Sequence, residues 1–164
     1  MWDDDDDPED FYEDDDDFDP EKERRRVEAL PIFQKAEEIC ELTRRIVDSI
    51  DDEEVKMIHS NIMIEDSIVI PAKIAGAEAV DDYMIKMENA TLIKLHARSL
   101  QAQSASLIFE GALPEEYLLL LRKEIEAFRL LFKDWVKSFD DSTARGDGWG
   151  LFVEDDDNDN EDED

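Results

Sequence analysis

Basic side chains are scarce in this 164-residue chain: 18 Lys and Arg stand against 48 Asp and Glu, a formal net charge of −30. Nucleic-acid affinity comes from neutralising phosphates, so a chain carrying this field disfavours that partner. Cysteine is nearly absent. Cys40 is alone, which excludes an intrachain disulfide, and without CxxC or Cys/His clustering there is no zinc signal. It lies on an apolar stripe and reads as a small buried hydrophobe. The two histidines, His59 and His96, follow Lys56 and Ile93 by three residues, where a di-iron bundle requires Glu-x-x-His. His59 reads as a core or interface histidine and His96 as a boundary one. No Ser/His/Asp order, Cys/His pairing or Walker loop stands in a suitable context. The expectation is therefore a protein that is no enzyme, with no cofactor, metal or small-molecule substrate. No stretch approaches the ~20 apolar residues of a membrane span. The opening Met1-Trp2-Asp3-Asp4 has neither a basic nor an apolar leader region. A cytoplasmic location without a membrane partner is expected, and the sequon at Asn89-Ala90-Thr91 is a coincidence of spelling.

Charge is divided unequally along the chain. Residues 1–23 hold fifteen acids against one Lys, residues 140–164 twelve against one Arg, and residues 24–139 twenty-one against sixteen, giving −14, −11 and −5. The reading is three segments: an acidic arm 1–23, one folded domain 24–139 and an acidic tail 140–164. Asp runs at 3–7 and 14–17, and the Glu/Asp/Asn stretch 154–164, repel themselves and lack apolar material, so both arms are expected to be disordered. Trp2, Phe11, Tyr12 and Phe18 punctuate the first arm, and Trp149, Leu151, Phe152 and Val153 precede the acid of the second. Acid with interspersed rings can hold a basic partner by charge and anchor it by ring burial. A solubilising bristle around an oligomer accounts for the same composition. An EF-hand register starting at Asp155 fails, because Asn160 replaces the turn glycine and no twelfth residue follows. Gly146-Asp147-Gly148-Trp149-Gly150 lacks the strand and helix of a phosphate loop and reads as a hinge before a docking segment.

The middle segment predicts four helices. The first starts at Pro31 and turns Ile32, Ala36, Ile39, Thr43, Val47 and Ile50 inward. Asp51 and Asp52 read as its turn and the next N-cap. The second helix runs from about Glu53 to Gly76, with Val55, Ile58, Ile62 and Val69 on one face and His59, Met63, Ile70, Ile74 and Ala77 on an adjacent one. Two apolar faces imply burial on two sides, and Pro71 is expected to break or kink the helix near Ser67 to Ile70. The third extends from about Ala79 to Phe109 with Val80, Tyr83/Met84, Met87, Thr91, Leu95, Ala102 and Ala105 inward. Gly111 reads as its C-cap and Pro114-Glu115-Glu116 as a restart. The fourth carries Leu118, Leu121, Ile125, Phe128, Phe132, Trp135 and Phe139 at threes and fours. The expected fold class is all-α, an up-down antiparallel four-helix bundle with disordered acidic N- and C-terminal arms.

The opening from Leu30 to Ile39, the segment Ile70-Pro71-Ala72-Lys73-Ile74-Ala75 and the restart from Gly111 to Tyr117 together resemble one family. It is the four-helix-bundle family encoded by intervening sequences of bacterial large-subunit ribosomal RNA genes, related to accessory proteins of diversity-generating retroelements. The resemblance covers residues 28–139 and neither arm. Where that family reads Ser-Ile-Pro-(Ser/Ala)-Asn-Ile-Ala-Glu-Gly, this chain keeps Ile70, Pro71, Ile74 and Ala75 but has Val69, Lys73 and Gly76-Ala77. What the resemblance implies is a noncatalytic bundle that assembles as a ring, typically a homopentamer. In the retroelement branch it implies a basic surface that meets RNA and a reverse transcriptase. Ile62, Met63, Ile70, Pro71 and Ile74 are the expected oligomer interface.

Two functions remain open. One is a scaffold or adaptor whose arms bind a basic partner protein. The other is a nucleic-acid accessory whose arms compete intramolecularly with phosphate for Arg24, Arg25, Arg26, Arg44 and Arg45, or for Arg122, Lys123, Arg129, Lys133 and Lys137. The triplet Arg24–Arg26 also reads simply as an electrostatic clip onto the neighbouring acidic run.

Overall fold

A computed structural model describes residues 19–154. Among them are five α-helices, no strand, and one 3-10 turn at Asp141–Thr143. The helices are α1 (Pro20–Glu28), α2 (Pro31–Asp48), α3 (Glu53–Glu78), α4 (Tyr83–Glu110) and α5 (Glu115–Lys137). The helix beyond the expected four is α1, which begins inside the segment read as the acidic arm. Its cause is local: Asp19 accepts from the backbone N–H groups of Glu21 (3.0 Å) and Lys22 (3.3 Å), and Pro20 occupies the first helical position. Arg24–Glu28 at 3.1 Å and the Arg26–Glu23 pair then lace its surface.

In α2, the inward stripe of the sequence holds residue by residue: Ile32, Ala36, Ile39, Thr43, Val47 and Ile50 are all buried. The buried Thr43 hydroxyl donates to Ile39 O at 2.7 Å, so no donor is left orphaned. Asp52 caps α3 through Glu54 N–H (2.9 Å) and Val55 N–H (3.1 Å). Of the expected break or kink at Pro71, the break does not occur: α3 is helical throughout Glu53–Glu78. An interior proline removes one N–H bond and crowds the carbonyl four residues back, at about 3 kcal/mol. Ile70 and Ile74 on either side of it are fully buried in the core, and their burial holds the backbone helical across it.

The inward face of α4 also differs from expectation. Thr91, Leu95, Ala102 and Ala105 are exposed, whereas Ala90, Ile93, Leu100, Ser104 and Leu107 are buried; Met84 is buried as expected. The buried face follows Ile93, Leu100 and Leu107, seven residues apart and fully buried, and beside them α4 meets α3 through the polar pairs described below. Gly111 closes α4 at φ 63°, the left-handed position glycine tolerates best. On α5, Leu118, Leu121, Ile125, Phe128 and Trp135 are buried, with Phe132 and Phe139 half-buried. Trp135 and Phe139 meet edge to face at 4.7 Å.

α3 and α4 run in opposite directions. Ser67 Oγ of α3 lies 3.7 Å from Cys40 Sγ of α2, α3 pairs with α4 through residues whose numbers run oppositely, and Arg122 of α5 bonds Gln101 and Ser104 of α4. Lys35 of α2 reaches Glu124 of α5 at 2.7 Å. Thus α3 touches α2 and α4, and α5 touches α2 and α4, around one shared core. Small α1 is tied on by Glu78, the last residue of α3. That carboxyl accepts from Arg26 (2.7 Å) and from the Trp135 indole N–H (2.8 Å). At the same end, Thr143 accepts from Tyr83 N–H (3.0 Å) and Arg145 meets Asp82 (3.2 Å). The first residues of the segment read as the C-terminal tail are therefore anchored on α4.

Candidate functional site

The α3–α4 seam is polar where two packed helices would ordinarily be apolar. His59 Nδ1 stands 2.6 Å from Gln103 Oε1, and its Nε2 stands 3.0 Å from Glu110 Oε1. One helical stretch along, His96 Nδ1 meets Asp66 Oδ1 at 2.7 Å. His59 and Asp66 are buried, and Asp66 Oδ2 is a buried oxygen with no partner. Sequence reasoning assigned both histidines by class but missed the pairing. A signal was present: His59 and Asp66 are seven apart, as are His96, Gln103 and Glu110, and a seven-residue spacing returns to one helix face.

Bordering that seam on its outer side, Ile58 and Ile62 of α3 and Leu92 and Leu95 of α4 remain exposed, Ile58 and Leu95 at 54% each. Of the five expected interface residues, Met63, Ile70, Pro71 and Ile74 are interior residues of the chain itself, and Ile62 is on the surface. The second apolar face of α3 read from the sequence is therefore represented outside by Ile58 and Ile62, not by the Ile70 to Ile74 segment.

The α4–α5 seam opens into a groove of about 420 Å³. Its floor is Ala97, Ile125, Phe128 and Phe132, and its rims are Lys94 and Arg98 on α4 and Arg129 and Lys133 on α5. No carboxyl group lines it. Arg129 is held by Glu126 at 2.8 and 2.6 Å; that bond raises the guanidinium and lowers the Glu126 carboxyl from their ordinary values. Lys94, Arg98 and Lys133 enter no ion pair among the described residues. The sequence singled out Arg129 and Lys133 but not Lys94 and Arg98, although both pairs share the i,i+4 spacing that aligns two side chains.

The remaining candidates are placed as follows. Arg24 and Arg25 are exposed and paired with Glu21 and Glu28, Arg26 is fixed by Glu23 and Glu78, and Arg45 bonds Glu41 at 2.9 Å. Hydrogen bonds to Glu23 and then Glu78 hold Arg26 above its ordinary pKa. The triplet thus pairs within α1 and with α3, while the Asp runs onto which a clip was expected lie outside the described residues. Arg44 is exposed beside Phe33 and Ile68. Arg122 is occupied by Gln101 O (2.9 Å) and Ser104 Oγ (3.1 Å), Lys123 is exposed, and Lys137 stands 4.0 Å from Asp134. Trp149 and Leu151 are exposed, and Phe152 and Val153 half-buried. Trp2, Phe11, Tyr12 and Phe18 lie outside the described residues. Among the described residues no group of three His, Cys, Asp or Glu side chains is placed to hold a metal ion, and no helix is long and apolar enough to cross a membrane. No protein-family model matches the chain, and neither a curated protein nor a solved structure does.

Proposed function

We propose that this chain is a noncatalytic adaptor: α2 to α5 form an up-and-down four-helix bundle with α1 appended, the bundle self-associates, and its acidic arms hold a basic partner protein. The observation that carries self-association is the exposed aliphatic border Ile58, Ile62, Leu92 and Leu95 along the α3–α4 seam. Exposed aliphatic side chains gathered beside one seam mark a surface that another protein covers. Chemical support for the arms is their density of acid beside Trp149 and Leu151, two large apolar side chains left in solvent. Acid steers a cationic partner and exposed rings anchor it.

Light scattering on the full chain tests the assembly. A discrete oligomer near the five copies that the family resemblance implies is expected, and Ile62→Asp with Leu95→Asp should return it to monomer. An unaltered chain that is monomeric at high concentration would end this reading.

A second reading, the nucleic-acid accessory, is favoured by one observation: among the described residues Lys94, Arg98 and Lys133 enter no ion pair on one groove. Single-stranded RNA binding whose affinity falls steeply with salt, and which Lys94→Glu abolishes, would favour it over the adaptor.

A further inference from the structure

Among the described residues the α4–α5 groove gathers four cations over an apolar floor with no carboxyl group in its lining, and one of the four, Arg129, is held by Glu126 just outside it. In a chain with 48 acids, that is an unfilled demand for anions. We propose that the groove is the docking site of the chain's own C-terminal acidic segment, residues 154–164. The assignment does not rest on the adaptor reading.

Charge argues first. Residues 154–164 carry nine acids and two asparagines and no base. Among the described residues Lys94, Arg98 and Lys133 enter no ion pair, although Lys133 shares the field of Glu126, to which Arg129 is bonded. A polyanionic segment beside such a cluster gains several weak attractions at once, and docking in cis adds a high effective concentration. The apolar floor between the rims lowers the local dielectric and strengthens each pairing.

Connectivity selects the C-terminal segment over the N-terminal one. Thr143 and Arg145 are bonded to Tyr83 and Asp82, at the start of α4. Lys94 is eleven residues further along the same helix, a rise of ~16 Å. Nineteen residues follow Arg145, and an extended chain covers ~3.3 Å per residue, so the acids reach the groove with slack. The N-terminal arm enters α1 at Pro20, which lines a cleft with Phe33, Ala75 and Ala79 on the α2–α3 side. In the ring of neighbours described above, that seam lies opposite the α4–α5 groove. A basic partner that takes the C-terminal segment must then displace it from these cations, and an anionic ligand that enters the groove must expel the segment.

The test is paramagnetic broadening of backbone amide signals with a nitroxide on Asn160→Cys, in the full chain carrying Cys40→Ala. Selective broadening of residues 94–101 and 125–133 is expected at ~0.01 M salt, where the screening length is ~30 Å, and its loss at ~1 M, where it is ~3 Å. Lys94→Glu with Arg98→Glu and Lys133→Glu should abolish the selectivity; these side chains are exposed, and the amide spectrum itself reports whether the variant stays folded. Salt titration of the chain with its groove intact provides the same readout should the triple variant unfold. Uniform broadening, none, or broadening that survives charge reversal would overturn the assignment. So would broadening that appears only when nitroxide-bearing chains are mixed with isotope-labelled chains, because the segment would then dock on a second copy.

Discussion

Asp66 presents an unusual balance at the scale of one side chain. Its Oδ1 is 2.7 Å from His96 Nδ1, and its Oδ2 is buried without a partner. Removing His96 leaves both oxygens orphaned, and a buried polar group without a partner costs ~1–3 kcal/mol. Replacing both partners by apolar groups removes the demand altogether, which in buried pairs is often neutral or stabilising. His96→Leu alone should therefore lower stability by ~1–3 kcal/mol, and Asp66→Leu with His96→Leu should recover most of it. Urea unfolding of the two single variants and the double variant measures the coupling; strictly additive losses would mean that the pair is incidental. These residues also show where sequence reading stops. A histidine at position 96 reads as a boundary residue because imidazole is amphipathic, and only the partner thirty residues earlier decides that it turns toward α3. Thr91 and Leu95 were read inward for the same reason: they continue an apolar stripe, but the buried face of α4 follows Ile93, Leu100 and Leu107.

Glu78 sets the behaviour of a whole element. It joins α1 to the rest of the molecule by accepting from Arg26, while Trp135 binds its other oxygen from α5. A nine-residue helix is too short to persist alone in water, so α1 depends on this contact and on Val27, its single buried residue. Glu78→Ala should free α1, raising trypsin cleavage at Arg24 to Arg26 several-fold at a time when the rest of the chain resists, and should also lower the global unfolding midpoint, because the buried Trp135 indole N–H loses its acceptor. Unchanged cleavage would show that Val27 suffices to dock the helix. Elements differ in how openly the sequence announces them. The stripes of α2 and α5 are read correctly because each buries a single face against a continuous core, so period and burial coincide. For α3 and α4 the buried face mixes apolar residues with His59, Asp66, Ser67 and Ser104, and no apolar stripe alone describes it. Pro71 misleads as a breaker because local preference is outweighed by the burial of Ile70 and Ile74. The start of α1 was legible in Asp19-Pro20, yet the acidic run around it suggested unstructured chain. The groove was half legible: the α5 cations stand out at i,i+4, while their α4 counterparts matter only once the two helices are side by side.

Over the whole molecule, net charge and folding stability respond to pH through different residues. A chain limited by self-repulsion would be most stable where its acids neutralise, near pH ~4. Twenty-seven of the 48 acids, however, lie in residues 1–23 and 140–164, and residues 24–139 carry only −5, so folding the helices gathers little net charge. The residues that do change environment point the other way. Hydrogen bonds from Arg26 lower the Glu23 carboxyl, those from Arg129 lower Glu126, and the Ser142 backbone N–H lowers Asp140. A carboxyl lowered in the folded state binds its proton later than in the unfolded chain as pH falls. Its contribution is complete above the ordinary carboxylate range, about pH 4, and is lost as pH falls through the folded value. Lys35, raised by Glu124 and then Glu38, has the opposite sign: its contribution is complete below the ordinary lysine value near ~10.4 and is lost as pH climbs through the raised one. The thermal midpoint should hence be broad and flat between about pH 5 and 10 and fall on both sides. Calorimetry from acid to alkaline pH decides it. A midpoint that rises continuously toward pH ~4 would mean that repulsion among the acids, rather than the pairing of a few of them, governs the fold.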